Sequence, residues 1–139
     1  VLEPDLVEQQ THIAWADTVV LCFPIWWYGV PANLKAFFDR VLTPGFAYKY
    51  PHPWPVLRIF MPKRLLKGKR VRIISTQDSF RFVAWAMGFP ISWSLRIATL
   101  WYVGFWPVRH SRFARVRRAS SAKRDRWQSK IAKLAANAR

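Results

Sequence analysis

Apolar positions along this chain alternate between the spacing of helices and the dense runs of buried strands. Helical spacing predicts four helices, at Pro4–Trp15, Pro31–Leu42, Ser94–Val103 and Ser121–Ala138. Three short apolar runs between them predict strands, at Thr18–Phe23, Val71–Ser75 and Pro107–Phe113. This order of helix and strand predicts an α/β domain built on a parallel sheet.

The loop after the first strand is defined by a proline and a glycine. Pro24 cannot continue the hydrogen-bonded ladder and Gly29 frees the backbone, so we expect residues 24–30 to form a loop. Pro31 then begins a helix in which Lys35 and Asp39 pair across one turn on the solvent side. The unit of strand, loop and helix is therefore specified locally.

Composition predicts one domain over residues 1–139, ending in a basic tail helix at about 120–139. The chain has 139 residues, of which 52% are hydrophobic, so it is able to bury a core. Its 23 Lys and Arg against 7 Asp and Glu give a formal net charge of +16. Such a balance suits nucleic acid, an anionic membrane surface or phosphate-bearing ligands.

Two aromatic-rich stretches resemble membrane segments but are interrupted. Val83–Val108 contains Gly88, Pro90 and Gly104, and Ile13–Val30 contains Asp17 and Pro24, which argues against a spanning helix. The single cysteine, Cys22, lies within the first apolar strand, so we expect it to be buried. A free thiol also favours a cytoplasmic location.

A continuous motif follows the first strand. Residues 23–50 read FPIWWYGVPANLKAFFDRVLTPGFAYKY. This segment resembles the NAD(P)H dehydrogenase (quinone) family in its Trp, Pro, Lys and Arg positions, and the resemblance extends over roughly residues 9–108. It implies a flavodoxin-like three-layer sandwich with a parallel sheet. It also implies a bound FMN or FAD and transfer of two electrons, as hydride, from NAD(P)H to a quinone-like acceptor.

The resemblance also implies which residues bind the cofactor. Ligands of open parallel sheets bind at the carboxyl ends of the strands. Two loops follow such ends, and their cofactor-binding residues would be Pro24, Ile25, Trp26, Trp27 and Tyr28 in the first and Thr76, Gln77, Asp78 and Ser79 in the second. Trp27 and Tyr28 would also face the nicotinamide or quinone. The alternative is that some of these aromatic residues fill the core.

The second loop departs from the family pattern. Many relatives have a Thr-Thr-Gly-Gly-like loop, and Gln77, Asp78 and Ser79 replace most of it. Close approach of the backbone to the ring is therefore less favoured. A carboxylate at position 78 would also disfavour an anionic reduced flavin.

A long Pro-rich segment, Phe46–Pro62, is predicted to be irregular. Its Tyr48 and Tyr50 match the family segment that closes over the partner subunit's active site, so the resemblance implies substrate-binding residues and a homodimer. Ordinary aromatic packing is the alternative. The family begins with a strand, a phosphate loop and a second strand that do not precede Val1, so we expect an N-terminally incomplete member with the first strands and the phosphate loop missing.

No metal site or nucleophile motif is predicted, because His12, His52 and His110 are far apart and have no ligand-spaced partners. Hydride chemistry belongs to the flavin, so no catalytic residue is assigned. The rival hypothesis is a degenerate flavodoxin-like binding protein whose basic tail contacts nucleic acid. The charges of the tail helix are better explained as a solvated face. FMN or FAD, NADH or NADPH, and the acceptor remain open.

Overall fold

The structure is a computed structural model that describes residues 3–50, 62–86 and 91–136, without the side chains of Arg81 and Ala84. Its strands are β1 (Thr18–Pro24), β2 (Tyr48–Lys49), β3 (Lys63–Arg64), β4 (Arg70–Gln77) and β5 (Val108–Ala114). Its α-helices are α1 (Pro4–Trp15), α2 (Ala32–Val41), α3 (Arg81–Ala86) and α4 (Ser121–Ala136). A π-helix spans Ser92–Trp101.

The main sheet has the order β1-β4-β5, and both pairings are parallel. Thr18 stands opposite Arg70, and Val71 stands opposite Val108, so the three strands start level with one another. A parallel neighbour requires a crossover, and the helical segments between these strands supply it. The predicted α/β domain with a parallel sheet is confirmed.

Helices cover both faces of the sheet. On one face the buried core is formed by α1, α2, the π-helix and the strands, and it includes Leu6, Leu21, Phe38, Val41, Val71, Ile73, Leu95 and Leu100. On the other face α4 packs through Trp127, whose ring centroid lies 5.2 Å from that of Phe113. None of the described α4 side chains is fully buried, so this helix is a loosely packed third layer.

Several predicted boundaries changed. Strand β1 includes Pro24, which pairs with Thr76, although Pro24 was predicted to lie in the loop. Strand β4 continues to Gln77, two residues beyond the predicted end, because its ladder reaches Thr76 with β1 and Gln77 with β5. Within the predicted irregular segment, Tyr48–Lys49 pairs antiparallel with Lys63–Arg64. These two-residue strands are too short to leave a periodic signal. Residues 51–61 of the segment lie outside the described residues.

The predicted helix Ser94–Val103 is a π-helix that begins two residues earlier. The wide winding is seen where the backbone N–H of Tyr102 donates to the carbonyl of Ile97, five residues back. Gly104 ends this segment at a φ of 118°. A Cβ there would lie 2.9 Å from the backbone nitrogen of Lys67, so only glycine fits.

The prediction that Cys22 is buried is wrong, because its side chain is exposed. β1 is an edge strand of the described sheet, and Val20 on the same side of it is 58% exposed. The alternate residues Val19, Leu21 and Phe23 pack into the core. Within the described part of the chain, no helix is long and apolar enough to cross a bilayer.

Candidate functional site

The carboxyl ends of β1 and β4 bring the two predicted cofactor loops together. Pro24 is paired with Thr76 in the parallel register. The N–H of Ile25 then donates to the carbonyl of Thr76 at 2.7 Å, one residue beyond the strand. The two sets of residues therefore form one continuous rim, as their positions at neighbouring strand ends predict.

The first loop is a tight turn with two aromatic residues at its centre. The N–H of Trp26 donates to the carbonyl of Gly29 at 3.2 Å, and the N–H of Gly29 donates back to Trp26 at 2.8 Å. Trp27 and Tyr28 have φ values of 50° and 57°. Asn and Gly usually occupy such positions, and bulky residues there cost about 1–3 kcal/mol each. Strain of this kind is concentrated at functional sites.

The turn presents an apolar surface together with free donors. Trp27 is 100% exposed and Trp26 is 61% exposed, so neither fills the core. Ile25 and Tyr28 are half-buried behind them. In the described structure the N–H groups of Trp27 and Tyr28 donate no hydrogen bond. A flat ring system with acceptors along one edge fits this surface.

The second loop is held by its own polar contacts. Gln77 is buried, and its Nε2 donates to the carbonyl of Ser79 at 3.3 Å. Asp78 accepts a hydrogen bond from the N–H of Arg117 at 3.2 Å. Thr76 is half-buried at the sheet edge. The carboxylate that replaces the family's glycine is thus tied to the turn after β5.

A polar network that the sequence did not reveal lies directly beneath this rim. His110 Nδ1 accepts from Arg112 Nε at 3.2 Å, so its proton is on Nε2, which donates to Ser75 Oγ at 2.7 Å. Arg112 also contacts the hydroxyl of Ser92 at the start of the π-helix. Burial, then the guanidinium groups of Arg112 and Arg96, lower the pKa of His110 to about 3. His110 is therefore neutral at physiological pH.

Arg96 approaches the same network from the π-helix. Its Nη2 donates to the carbonyl of Val108 at 2.9 Å. Its Nε is buried, and no acceptor contacts it among the described residues. The sequence signal for this network was weak, since His110 and Arg112 simply alternate along a short strand.

The two predicted substrate tyrosines lie together, but away from the rim. The ring centroid of Tyr48 lies 5.4 Å from that of Tyr50 and 5.8 Å from that of Tyr102. Burial, with added effects of Tyr50 and Tyr48, raises the pKa of Tyr102 to about 12. Tyr48 and Tyr102 line a cavity of about 270 Å³, which shares no residue with the first loop. Their role at a partner's site stays a prediction.

A groove runs along β1 beside the first loop. Its volume is about 660 Å³, and Cys22, Phe23, Pro24 and Trp26 line one side. The start of α2, with Pro31 to Leu34 and Phe37, lines the other. In the part of the chain that the structure describes, no group of three or more His, Cys, Asp or Glu side chains could hold a metal ion.

Comparison with known proteins shows which family the chain belongs to. A sequence profile described as the flavodoxin-like fold matches residues 2–137. The chain belongs to this family. Ribosyldihydronicotinamide dehydrogenase (quinone) from Homo sapiens is 32% identical to this flavodoxin-like chain over 109 residues, which cover 75% of the chain and 44% of the human protein. NAD(P)H dehydrogenase (quinone) 1 from Rattus norvegicus is 53% identical over 49 residues, which cover 35% of the chain and 18% of the rat protein.

Solved structures agree with the sequence matches. A crystal structure from Streptococcus mutans UA159 superposes on this flavodoxin-like chain with a TM-score of 0.82 and 29% identity. The match covers 97% of this chain and 68% of that one. The resemblance to the NAD(P)H dehydrogenase (quinone) family is therefore confirmed, and so is the flavodoxin-like fold. The chain spans less than half the length of these two curated relatives.

Proposed function

We propose that the protein is a flavin-dependent oxidoreductase that transfers two electrons, as hydride, from NAD(P)H through FMN or FAD to a quinone-like acceptor. The observation that carries this proposal is the turn Trp26–Gly29. Its two central aromatic residues are strained and their own N–H groups donate no hydrogen bond, and the turn adjoins Thr76 at the carboxyl edge of a parallel sheet. The names of the human and rat relatives, both quinone dehydrogenases, support the same activity.

The first loop would hold the isoalloxazine ring. The backbone N–H groups of Trp27 and Tyr28 would donate to acceptors on the polar edge of the ring, while Pro24 and Ile25 would support its apolar part. The exposed Trp27 indole and the half-buried Tyr28 would then pack against a nicotinamide or a quinone. Packing on both sides would exclude water from the ring.

The second loop would contact the other edge of the ring through Thr76, Gln77, Asp78 and Ser79. Gln77 fixes this loop by its bond to Ser79, and Asp78 is engaged by the N–H of Arg117. The carboxylate of Asp78 is therefore directed to a backbone donor. The flavin itself supplies the hydride chemistry, so no acid–base residue is assigned.

We further propose that the protein is a cytoplasmic homodimer in which Tyr48 and Tyr50 approach the partner's site. The exposed aromatic side chains around the rim support association, since large apolar patches usually mark interfaces. Phe82, Trp85 and Trp93 are each 66–70% exposed.

The nucleic-acid alternative has less support. Trp127, the aromatic residue of the basic tail, packs on Phe113, and the ammonium of Lys123 lies 5.2 Å from its ring centroid. An indole that is half-covered on its own sheet is poorly placed to stack on a base. The positive side chains of α4 form a solvated helix face instead.

The proposal is tested on the full-length purified protein by its visible absorbance spectrum and by NAD(P)H-dependent quinone turnover. We expect bound flavin, and we expect Trp27→Ala with Tyr28→Ala to weaken flavin retention or turnover at least tenfold, or about 1.4 kcal/mol. Trp15→Ala with Trp106→Ala is the matched control, because it removes two exposed aromatic residues elsewhere. Unchanged flavin content and turnover in the loop variant would refute the assignment. Salt-sensitive DNA binding by a colourless protein would favour the alternative.

A further inference from the structure

The amino ends of the three parallel strands form the end of the domain opposite the candidate site. Two tryptophans are exposed there. Trp15, the last residue of α1, is 85% exposed, and Trp106, just before β5, is 62% exposed. A single exposed apolar side chain is normal, whereas exposed apolar side chains that lie together mark interaction sites.

Lys69 connects the two segments that carry these indoles. Its ammonium donates to the carbonyl of Ala14 at 2.6 Å and to that of Ala16 at 2.8 Å, one residue on each side of Trp15. Its own carbonyl accepts the N–H of Trp106 at 2.8 Å. Trp15 and Trp106 are therefore fixed at the same end of the sheet by one residue.

The surface around the indoles is basic. Lys67, Arg70 and Arg109 are exposed beside them, and Asp17 is the acidic residue of the adjoining turns. We call Trp15, Lys67, Arg70, Trp106 and Arg109 the amino-end patch. The patch therefore combines aromatic rings with positive charge. The chain as a whole carries a formal net charge of +16.

We propose that the amino-end patch docks the protein on an anionic lipid bilayer. Indoles partition to the level of the lipid headgroups, and Lys and Arg side chains are attracted to anionic lipids. Single-stranded nucleic acid instead stacks on successive rings along a basic groove. Here the two indoles stand on separate turns on either side of a basic loop, an arrangement that suits a flat surface. The inference does not depend on the proposed flavin chemistry.

The test is cosedimentation of the protein with vesicles of phosphatidylcholine, with and without phosphatidylserine, at low and physiological salt. We expect binding that requires phosphatidylserine and weakens as salt screens the charges. Trp15→Ala with Trp106→Ala, and separately Lys67→Glu with Arg70→Glu, should each weaken binding about tenfold or more.

Matched controls change the same residue types at the other end of the domain. Trp85→Ala with Trp93→Ala removes two indoles that are 70% and 69% exposed. Arg117→Glu with Arg118→Glu makes the same change in net charge as the charge variant of the patch. Both should bind vesicles like the parent protein, and circular dichroism should show that all four variants are folded.

Three results would overturn the proposal. One is equal binding to both kinds of vesicle. Another is equal loss in the patch variants and in the controls, which would indicate a general charge effect. The third is tighter binding to single-stranded DNA that the same patch substitutions abolish, which would assign the surface to nucleic acid.

Discussion

The Nε2 of His110 on β5 lies 2.7 Å from the Oγ of Ser75 on β4. Ser75 is completely buried and immediately precedes Thr76, whose carbonyl accepts the N–H of Ile25 from the first loop. This contact joins the polar network of β5 to both loops of the candidate site. The hydrogen bond between His110 and Ser75 supports the rim from below. We therefore expect acid, and substitution of either residue, to change the stability of the fold.

Acid should destabilise the protein through His110. Its pKa is near 6.5 in the unfolded chain and about 3 in the native state, where burial and then Arg112 and Arg96 oppose the charge. Between these values the unfolded state binds a proton that the native state does not, so the free energy of unfolding falls as the pH decreases from 6.5 toward 3. Above pH 6.5 the cost is absent.

Urea unfolding at a series of pH values measures this slope. His110→Gln should flatten it, because the amide keeps polar contacts without titrating. His12→Gln is the matched control, since it removes an exposed imidazole of α1. An unchanged slope in His110→Gln would show that other groups cause the acid sensitivity.

Removing the Ser75 hydroxyl should lower the free energy of unfolding by more than the small size of this group suggests. Ser75→Ala leaves the Nε2–H of His110 without its partner in a buried site, which we expect to cost about 1–3 kcal/mol of unfolding free energy. The double variant Ser75→Ala with His110→Phe removes both polar groups and should recover part of this loss. Strict additivity of the two single variants in denaturant unfolding would contradict the proposed coupling.

Relieving strain in the first loop should stabilise the fold but impair the site. Trp27 is fully exposed at a φ of 50°, so Trp27→Gly loses little packing and should raise the free energy of unfolding by about 1 kcal/mol. Flavin retention should decrease in the same variant. Gly45→Ala provides the opposite case. Gly45 has a φ of 91°, and nothing lies within 4 Å of an added Cβ, so the substitution should destabilise the fold through backbone strain alone. Thermal unfolding of both variants, with flavin content for the first, measures these effects.

The tyrosine cluster should lose its protons only at a pH above the ordinary tyrosine pKa of 10. Burial, then Tyr50 and Tyr48, raise the pKa of Tyr102 to about 12, and burial also raises the pKa of Tyr48. Stability from these groups is fully present below pH 10 and is lost as the pH rises through the native pKa values. Ultraviolet titration should show a phase near pH 12 that Tyr102→Phe removes. A phase that persists in this variant would place the late titration at another tyrosine.

Much of the fold could be predicted from the sequence because its signals are local. Pro24 and Gly29 marked the first loop, and the buried faces of α2 and β4 followed their periodic apolar residues. The π-helix could not be predicted, since its apolar residues also fit α-helical spacing. The contact of Ser75 with His110 joins residues 35 positions apart, and no local pattern encodes such a distance.

The cofactor-binding role of the first loop was predicted only from the resemblance to the family, and the structure adds that Trp26 and Trp27 are exposed. Its strained backbone was not predictable, because Trp and Tyr are the residues least expected at positive φ. Cys22 was misjudged because an apolar run indicates burial on two faces, whereas the face of β1 that carries Val20 and Cys22 is exposed. The functional roles of Thr76, Gln77, Asp78, Ser79, Tyr48 and Tyr50 stay predictions.

The exposure of Cys22 provides an attachment point for a spectroscopic probe. It is the single cysteine of the chain, and it lines the 660 Å³ groove together with Pro24 and Trp26. A thiol-reactive, environment-sensitive dye would therefore attach at one known position without any engineered residue. Its emission would report on whatever enters the groove.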